Sequence, residues 1–225
     1  MSTTLHDAYA AARERFLTSA MRRIPEASMA SQARALGLWR HNRLHARFEP
    51  QALLAVDLAV FRPVGGHSRA IDREARAMRP AEGSEAARVL AGLLRAEFTL
   101  FRILACAPEG GRAEAEDMLR GQRFTLRDKR LGQDGTQGVG LAGHLMPIDG
   151  EMMTCGVVAP LTDAVIDTLL GRFAPVEETP RILPPLTPLS PEDAAALRAA
   201  SAAPDFPARV YAAVLDHQVM GPRPD

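Results

Sequence analysis

The stretch GVGLAGHLMPIDGEMMTCGVV, residues 138–158, consists of two apolar runs separated by Asp149-Gly150. An Asp-Gly pair between apolar runs is a strong signal for a β-hairpin with a two-residue type I′ turn. The stretch therefore predicts strands over Val139–Ile148 and Met152–Pro160. The turn pairs Ile148 with Glu151, and the pairing then runs outward one residue at a time.

Three further strands are predicted before this hairpin, with turn residues between them. They cover Phe101–Ala107, Ala113–Leu119 and Phe124–Asp128, and the intervening turns contain Pro108–Gly111, Gly121 and Gln133–Gly135. Five short strands joined by tight turns predict a small antiparallel module, either a meander or a barrel.

Helical patterns flank the strands, so the fold class predicted is α+β. Five helices are expected before the strands and one after them, over residues 4–23, 28–48, 51–61, 68–78, 84–98 and 162–173. The predicted division is a helical N-terminal region over residues 1–98, a β module with its closing helix over residues 99–174, a tether over residues 175–191 and a helical tail over residues 192–225.

The tether contains six prolines between Pro175 and Pro191, which is incompatible with a helix or a central strand. Ser190 is a suitable N-cap for the helix that follows, and a last amphipathic helix is expected over Asp205–Met220. These two helices could dock on the body of the same chain or on a second subunit.

Composition narrows the classes of partner. The 225 residues contain 27 basic and 27 acidic side chains, so the net charge of zero makes binding to nucleic acid or an anionic membrane unlikely on electrostatic grounds. Residues 1–48 hold eight arginines against three acids, whereas residues 149–225 hold five against eleven. This asymmetry allows self-association, although compensation within one chain is the favoured interpretation.

Two cysteines without a CxxC pattern, no signal peptide and no long apolar run indicate a cytoplasmic protein without a membrane segment. A GxGxxG that opens a helix, a phosphate-binding loop and a GxSxG elbow are missing, so no cofactor is predicted. GVGLAG, Gly138–Gly143, has the glycine spacing of GxGxxG, but it lies within a predicted strand and opens no helix that could hold a phosphate.

The predicted hairpin places His144 opposite Cys155, with Ala142 facing Val157 on the same surface. Directly paired side chains lie about 4.5 to 5.5 Å apart at Cβ, close enough for an imidazole to activate a thiol. A Cys–His pair is the minimum for thiol nucleophilic catalysis, but no third orienting group can be identified. The favoured interpretation is that both side chains belong to the core.

Asp57 lies in the apolar run ALLAVDLAVF, so at helical spacing its carboxylate must be largely buried. A buried carboxylate needs a partner or a raised pKa. Packing of the second and third predicted helices would bring Asp57 toward His41, Arg40 or Arg43. An internal salt bridge is favoured over catalysis, because ion pairs that only stabilise a fold also perturb the pKa of a carboxyl group.

His41 and His45 lie four residues apart in HNRLH, with Glu49 four further on. The zinc-protease pattern needs a glutamate where Asn42 stands, so that chemistry is excluded. A metal site from these histidines remains geometrically possible on a helix. Pro50 pushes Glu49 out of the α region, which leaves two firm ligands and favours a structural role for the histidines.

The segments FTLFRIL, EDMLRGQRFTLRD, GVGLAGHLMPIDG and MTCGVVAPL, within Phe98–Leu161, resemble a group of uncharacterised bacterial proteins. Their shared pattern is a helix leading into a strand, a strand ending in a D-x-L-x-G turn, and a closing hairpin. The resemblance implies a fold unit and carries no activity.

The leading functional prediction is a non-catalytic binding or regulatory module, because no catalytic set is complete. The alternative is an enzyme that uses His144 with Cys155, or a metal near His41 and His45. Nucleic-acid binding through the arginines of the second predicted helix ranks last.

Overall fold

The computed structural model describes residues 5–176 and 183–222. Within these residues the helical bounds are α1 Leu5–Met21, α2 Glu26–Ala35, α3 Glu49–Phe61, α4 Ala70–Ala77, α5 Glu85–Leu94, α6 Asp163–Leu169, α7 Pro191–Ser201 and α8 Phe206–Asp216. The strands are β1 Trp39–Arg40, β2 Arg43–Leu44, β3 Glu97–Ala107, β4 Arg112–Asp117, β5 Arg123–Arg127, β6 Gly140–Ile148, β7 Glu151–Thr154 and β8 Ala159–Leu161. The α+β prediction is confirmed.

Strands β3 to β7 close into a five-stranded barrel in the order β3-β4-β5-β7-β6, with β6 pairing back to β3. Of the meander and the barrel, the barrel is therefore confirmed. The expectation of a purely antiparallel sheet is wrong, because β5 and β7 pair in parallel through Leu126 and Met152. A closed ring with an odd number of strands cannot alternate direction at every step, so one neighbouring pair must be parallel.

The hairpin between β6 and β7 has the predicted register. Asp149 and Gly150 both have positive φ, 48° and 79°, as a type I′ turn requires, and Met146 pairs with Met153. Beyond Gly156, whose φ is 106°, the register shifts and a separate strand begins. The predicted strand Met152–Pro160 is thus two strands, β7 and β8.

The shift at Gly156 changes the partner of Ala142. Ala142 pairs with Ala159 of β8, so its predicted pairing with Val157 is wrong. The carbonyl oxygen of Val157 lies close to Gly143, where an added Cβ would be only 2.7 Å from that oxygen. The chain therefore leaves regular pairing at this point and rejoins β6 with a changed register.

The second predicted helix, Ser28–Phe48, is wrong after residue 35. Gly37 has a φ of 70°, and the amide of Leu38 donates to the Ala33 carbonyl at 2.7 Å, which closes α2 with a glycine cap. The following residues form the β1–β2 hairpin, and His41 and Asn42 occupy its turn with φ of 48° and 59°. Both Asn and His tolerate this left-handed conformation better than most residues, so the turn costs little strain.

The buried side chains form three clusters. One fills the barrel and includes Phe101, Ile103, Ala115, Leu126, Leu141 and Leu145. The second lies outside the barrel against α1, α4 and α5, and the third lies outside it against α2, α6 and α8. Helix α3 contributes to both outer clusters and is apolar nearly all round, as a helix buried on most sides must be.

The C-terminal helices dock on the body of the same chain. Helix α8 packs against α2, α3, α6 and β8. The predicted Ser190 cap is confirmed, since its hydroxyl accepts from the Asp193 amide at 3.1 Å.

The proline-rich tether was predicted over residues 175–191, of which residues 177–182 lie outside the described residues. Residues 183–190 are non-helical but are held to the barrel. Leu186 is buried, and its amide donates to the Gly138 carbonyl at 2.8 Å. Across the portion of the chain that the structure describes, no helix is both long and apolar enough to cross a membrane.

Candidate functional site

A buried polar cluster lies on the outer face of β6. His144 Nδ1 lies 2.7 Å from Asp57 Oδ2, and the Tyr211 hydroxyl donates to the same oxygen at 2.8 Å. All three residues are almost completely excluded from water. Because a carboxylate oxygen accepts hydrogen bonds, Nδ1 of His144 is the ring nitrogen that donates to Asp57. The second ring nitrogen, Nε2, is not bound by this carboxylate.

Three distant segments bring this cluster together. Asp57 belongs to α3, His144 to β6 and Tyr211 to α8. Alternate residues of β6 point into the barrel, where Leu141 and Leu145 are buried, so His144 between them points outward to the helices. The pairing of Asp57 with His41, Arg40 or Arg43 that the sequence suggested is therefore wrong.

Aromatic rings fix the orientation of the imidazole. The Phe61 ring stacks on His144 with a centroid distance of 4.5 Å, and the Phe98 ring meets it edge-on at 5.3 Å. Phe98 also contacts Tyr211 edge-on at 5.4 Å. With two rings and a carboxylate around it, His144 is held in one position without any bound molecule.

His144 lines a cavity of about 390 Å³, which we call the His144 cavity. This volume is within the range of small-molecule binding sites. The lining comes from the end of α3, the α3–α4 connection, the start of β3, the β4–β5 turn, β6, the end of α7, the α7–α8 connection and the start of α8. The residues are Phe61, Arg62, Pro63, Arg69, Ala96, Glu97, Phe98, Leu119, Arg120, His144, Ser201, Ala203, Phe206 and Pro207.

Three arginines and one carboxylate line the His144 cavity. Arg69 binds Asp72 at 2.7 Å, and Arg120 binds Asp117 at 2.8 Å and Glu97 at 2.9 Å. Arg62 differs, since the hydrogen bond of its side chain goes to the Pro204 carbonyl. Burial lowers the pKa of Arg62, which reflects the cost of holding that charge partly away from water.

The D-x-L-x-G turn, Asp117 to Gly121, positions two cavity residues. Asp117 Oδ1 accepts from the Leu119 amide at 2.8 Å and the Arg120 amide at 3.0 Å. Gly121 adopts a φ of 69°, and its amide donates to the Asp117 carbonyl at 2.7 Å. The ion pair with Asp117 also raises the pKa of Arg120, so this guanidinium is fixed as a cation at the cavity wall.

Cys155 lies next to His144, as the predicted register requires, and its amide donates to the His144 carbonyl at 2.9 Å. The imidazole, however, is directed to Asp57 rather than to the thiol. Burial and the charge of Asp57 raise the pKa of the Cys155 thiol well above its ordinary value. The thiol is therefore neutral at physiological pH, which does not suit a nucleophile.

The two metal candidates, His41 and His45, have rings 6.0 Å apart, centroid to centroid, at the β1–β2 hairpin. Glu49 begins α3 and does not share a helical face with them. Over residues 5–176 and 183–222, no group of three or more His, Cys, Asp or Glu side chains is arranged to hold a metal ion.

Reasoning from the sequence selected Asp57 and His144 separately and did not foresee that they meet. It missed Tyr211 and the cavity arginines altogether. The separation of 154 residues between Tyr211 and Asp57 leaves no local pattern that could have revealed their contact. Only the D-x-L-x-G segment offered a signal, since an Asp two residues before an amide is typical of a side-chain-capped turn.

Comparison with known proteins identifies a family. A family model described as a family of unknown function, DUF7986, matches residues 9–180, about three quarters of the chain and all of the barrel. No curated protein and no solved structure gives a match.

Proposed function

Since the chain belongs to DUF7986, a family of unknown function, we propose its role from its own geometry: a non-catalytic module that binds a small organic anion in the His144 cavity. The observation that carries the proposal is Arg62, a cation of the cavity wall whose side-chain hydrogen bond goes to a neutral carbonyl. Three guanidinium groups and a single cavity carboxylate surround a space large enough for a metabolite.

The surroundings of Arg62 favour an anion as the ligand. Arg69 and Arg120 are bound to carboxylates of the chain, whereas the side-chain hydrogen bond of Arg62 is to a neutral carbonyl. The planar fork of a guanidinium matches a carboxylate or a phosphate, and such charge-assisted hydrogen bonds are the stronger kind. A bound anion would supply the countercharge that this partly buried cation has only at a distance, from Asp205.

The rest of the cavity favours an anion with an apolar or aromatic body. Phe61, Phe98 and Phe206 contribute rings to the wall, on which a flat group could stack. His144 adds one directional group, because Asp57 occupies Nδ1 and only Nε2 remains for a ligand. Binding pockets commonly combine apolar walls with a few such polar groups.

We expect Arg62→Gln to weaken the binding of phenyl phosphate or benzoate by about tenfold or more, because a charge-assisted hydrogen bond contributes roughly 1.5–3 kcal/mol. Isothermal titration calorimetry measures the affinity. Arg22→Gln is the matched control, since Arg22 is exposed just after α1 and lies outside the cavity. Equal losses in both variants, or no binding of either anion by the unaltered protein, would contradict the proposal.

A second candidate is an enzyme in which His144 is the acid–base group. The observation that favours it is the Asp57–His144 hydrogen bond, because a carboxylate on Nδ1 fixes the tautomer and supports proton transfer at Nε2. In this form Asp57 replaces Cys155 as the partner of His144. The bound anion would then be a substrate.

Incubation of the protein with a bound anion in D₂O separates the two candidates. With phenylpyruvate, an aromatic carboxylate whose C–H bonds next to the ketone are acidic, an enzyme of this kind should catalyse exchange of these C–H bonds for deuterium, followed by proton NMR. The exchange should be lost in His144→Gln and retained in Cys155→Ser. If exchange is equally slow with and without the protein for every anion that binds, the result supports the binding module over this enzyme.

We also propose that the protein is bacterial and cytoplasmic. The resemblance over Phe98–Leu161 supports the origin, and the two free thiols, Cys106 and Cys155, support a reducing compartment. The opposed charges of residues 1–48 and 149–225 suit compensation within one chain, because α2 from the first region packs against α8 from the second. Association of two copies of the chain is therefore not needed to neutralise these opposed charges.

A further inference from the structure

We propose that a second cavity, between α1 and α3, binds a carboxylate with an unbranched alkyl chain. This cavity, which we call the Arg13 cavity, has a volume of about 350 Å³. Its wall consists of Arg13, Glu14, Leu17, Thr18, Met21, Leu53, Val56, Asp57, Val60, Phe61, Arg130, Cys155, Gly156 and Val157. The proposal does not depend on an anion in the His144 cavity.

One side of the wall is apolar. Leu17 and Met21 face it from α1, and Leu53, Val56 and Val60 face it from α3. Met21 keeps 41% of its surface exposed. An alkyl chain would cover this surface, and each Å² of apolar area removed from water contributes roughly 25 cal/mol.

The other side carries a half-buried cation. Arg13 Nη1 donates to the Thr154 carbonyl at 2.9 Å and more weakly to the Thr154 hydroxyl at 3.4 Å. Burial lowers the pKa of Arg13, and the carboxylate of Asp128, which accepts from the Thr154 hydroxyl, offsets this effect only in part. A ligand carboxylate would provide a charged acceptor for the remaining donors of the guanidinium.

The other charged groups of the wall are consistent with a single anionic head. Arg130 is an exposed second cation, and Glu14 is an exposed carboxylate that can turn to solvent. The charge of Asp57 is already engaged, since its Oδ2 accepts from His144 and Tyr211. The head group is therefore expected at Arg13, with the chain directed along Leu17 and Val56.

Asp57 and Phe61 give this cavity a common wall with the region around His144. Phe61 lines both cavities, and Asp57 lines the Arg13 cavity while it binds the imidazole that lines the other. The two sites nevertheless use different arginines. Substitutions at Arg13 and Arg62 can therefore distinguish them.

The test is calorimetric titration of the whole protein with octanoate and with 1-octanol, the neutral analogue, below their aggregation limits. We expect octanoate to bind about tenfold more tightly than octanol, the effect of roughly one charge-assisted hydrogen bond. Arg13→Gln should remove this preference, whereas Arg15→Gln, an exposed arginine on the same helix, should retain it. Val56→Phe, which fills the space from a half-buried position, should weaken both ligands.

The Arg62→Gln variant should bind octanoate with unchanged affinity. This result would show that the heat measured in the titration comes from binding in the Arg13 cavity and not in the His144 cavity. Equal affinity for octanoate and octanol, no dependence on chain length from butanoate to decanoate, or full binding by Val56→Phe would each overturn the proposal. The chain-length series uses the unaltered protein, so the proposal stays testable even if Arg13→Gln does not fold.

Discussion

We expect Asp57→Ala to lower the free energy of unfolding by about 2–6 kcal/mol, because each buried donor left without an acceptor costs about 1–3 kcal/mol. Asp57 Oδ2 accepts from both His144 and Tyr211, so its loss leaves two buried donors unsatisfied at once. The carboxylate side chain is only 1% exposed, and water cannot readily replace it. Urea denaturation followed by circular dichroism measures the difference.

Asp167→Ala is the matched control for this experiment. Asp167 is paired with Arg172 on the surface, with 41% of its side chain exposed, so its loss should cost less than about 1 kcal/mol. Tyr211→Phe removes one donor and leaves the His144–Asp57 hydrogen bond, and should fall between the two. If Asp57→Ala were no more destabilising than Asp167→Ala, the cluster would not be a structural element of the fold.

The accuracy of the sequence predictions depended on whether the deciding information was local. The β6–β7 hairpin is set by two adjacent residues, because Asp149 and Gly150 favour its turn through their own backbone preferences. The parallel pairing of β5 with β7 follows from closure of the whole barrel, which no short segment encodes. Gly37 did carry a local signal against a second helix that continues to Phe48, because a glycine with positive φ commonly ends a helix.

The candidate site shows the same division. The burial of Asp57 follows from its apolar neighbours, and the outward direction of His144 follows from the strand period. Their contact depends on how α3 lies across β6, and Tyr211 reaches them only because α8 returns to the body. The cavity arginines come from loops and helix ends, where side-chain direction is set by tertiary contacts.

The C-terminal helices are expected to be essential for folding, although the prolines before them suggest an appendage. A chain that ends after residue 176 should show no cooperative unfolding transition by circular dichroism. Helix α8 buries Phe206, Val210, Tyr211, Val214 and Leu215, each contributing about 1.5–3 kcal/mol. Together they contribute on the order of 10 kcal/mol, as much as the whole free energy of unfolding of a typical domain.

A substitution within α8 of the complete chain separates the loss of packing from the loss of chain length. Val210→Asp places a charge in the cluster that α8 shares with α2 and α6, and it should destabilise severely. Arg209→Asp introduces the same side chain at the exposed neighbouring position and should have little effect. If the shortened chain instead unfolds cooperatively with an unchanged midpoint, α7 and α8 are an independent tail, and Tyr211 has no role in holding Asp57.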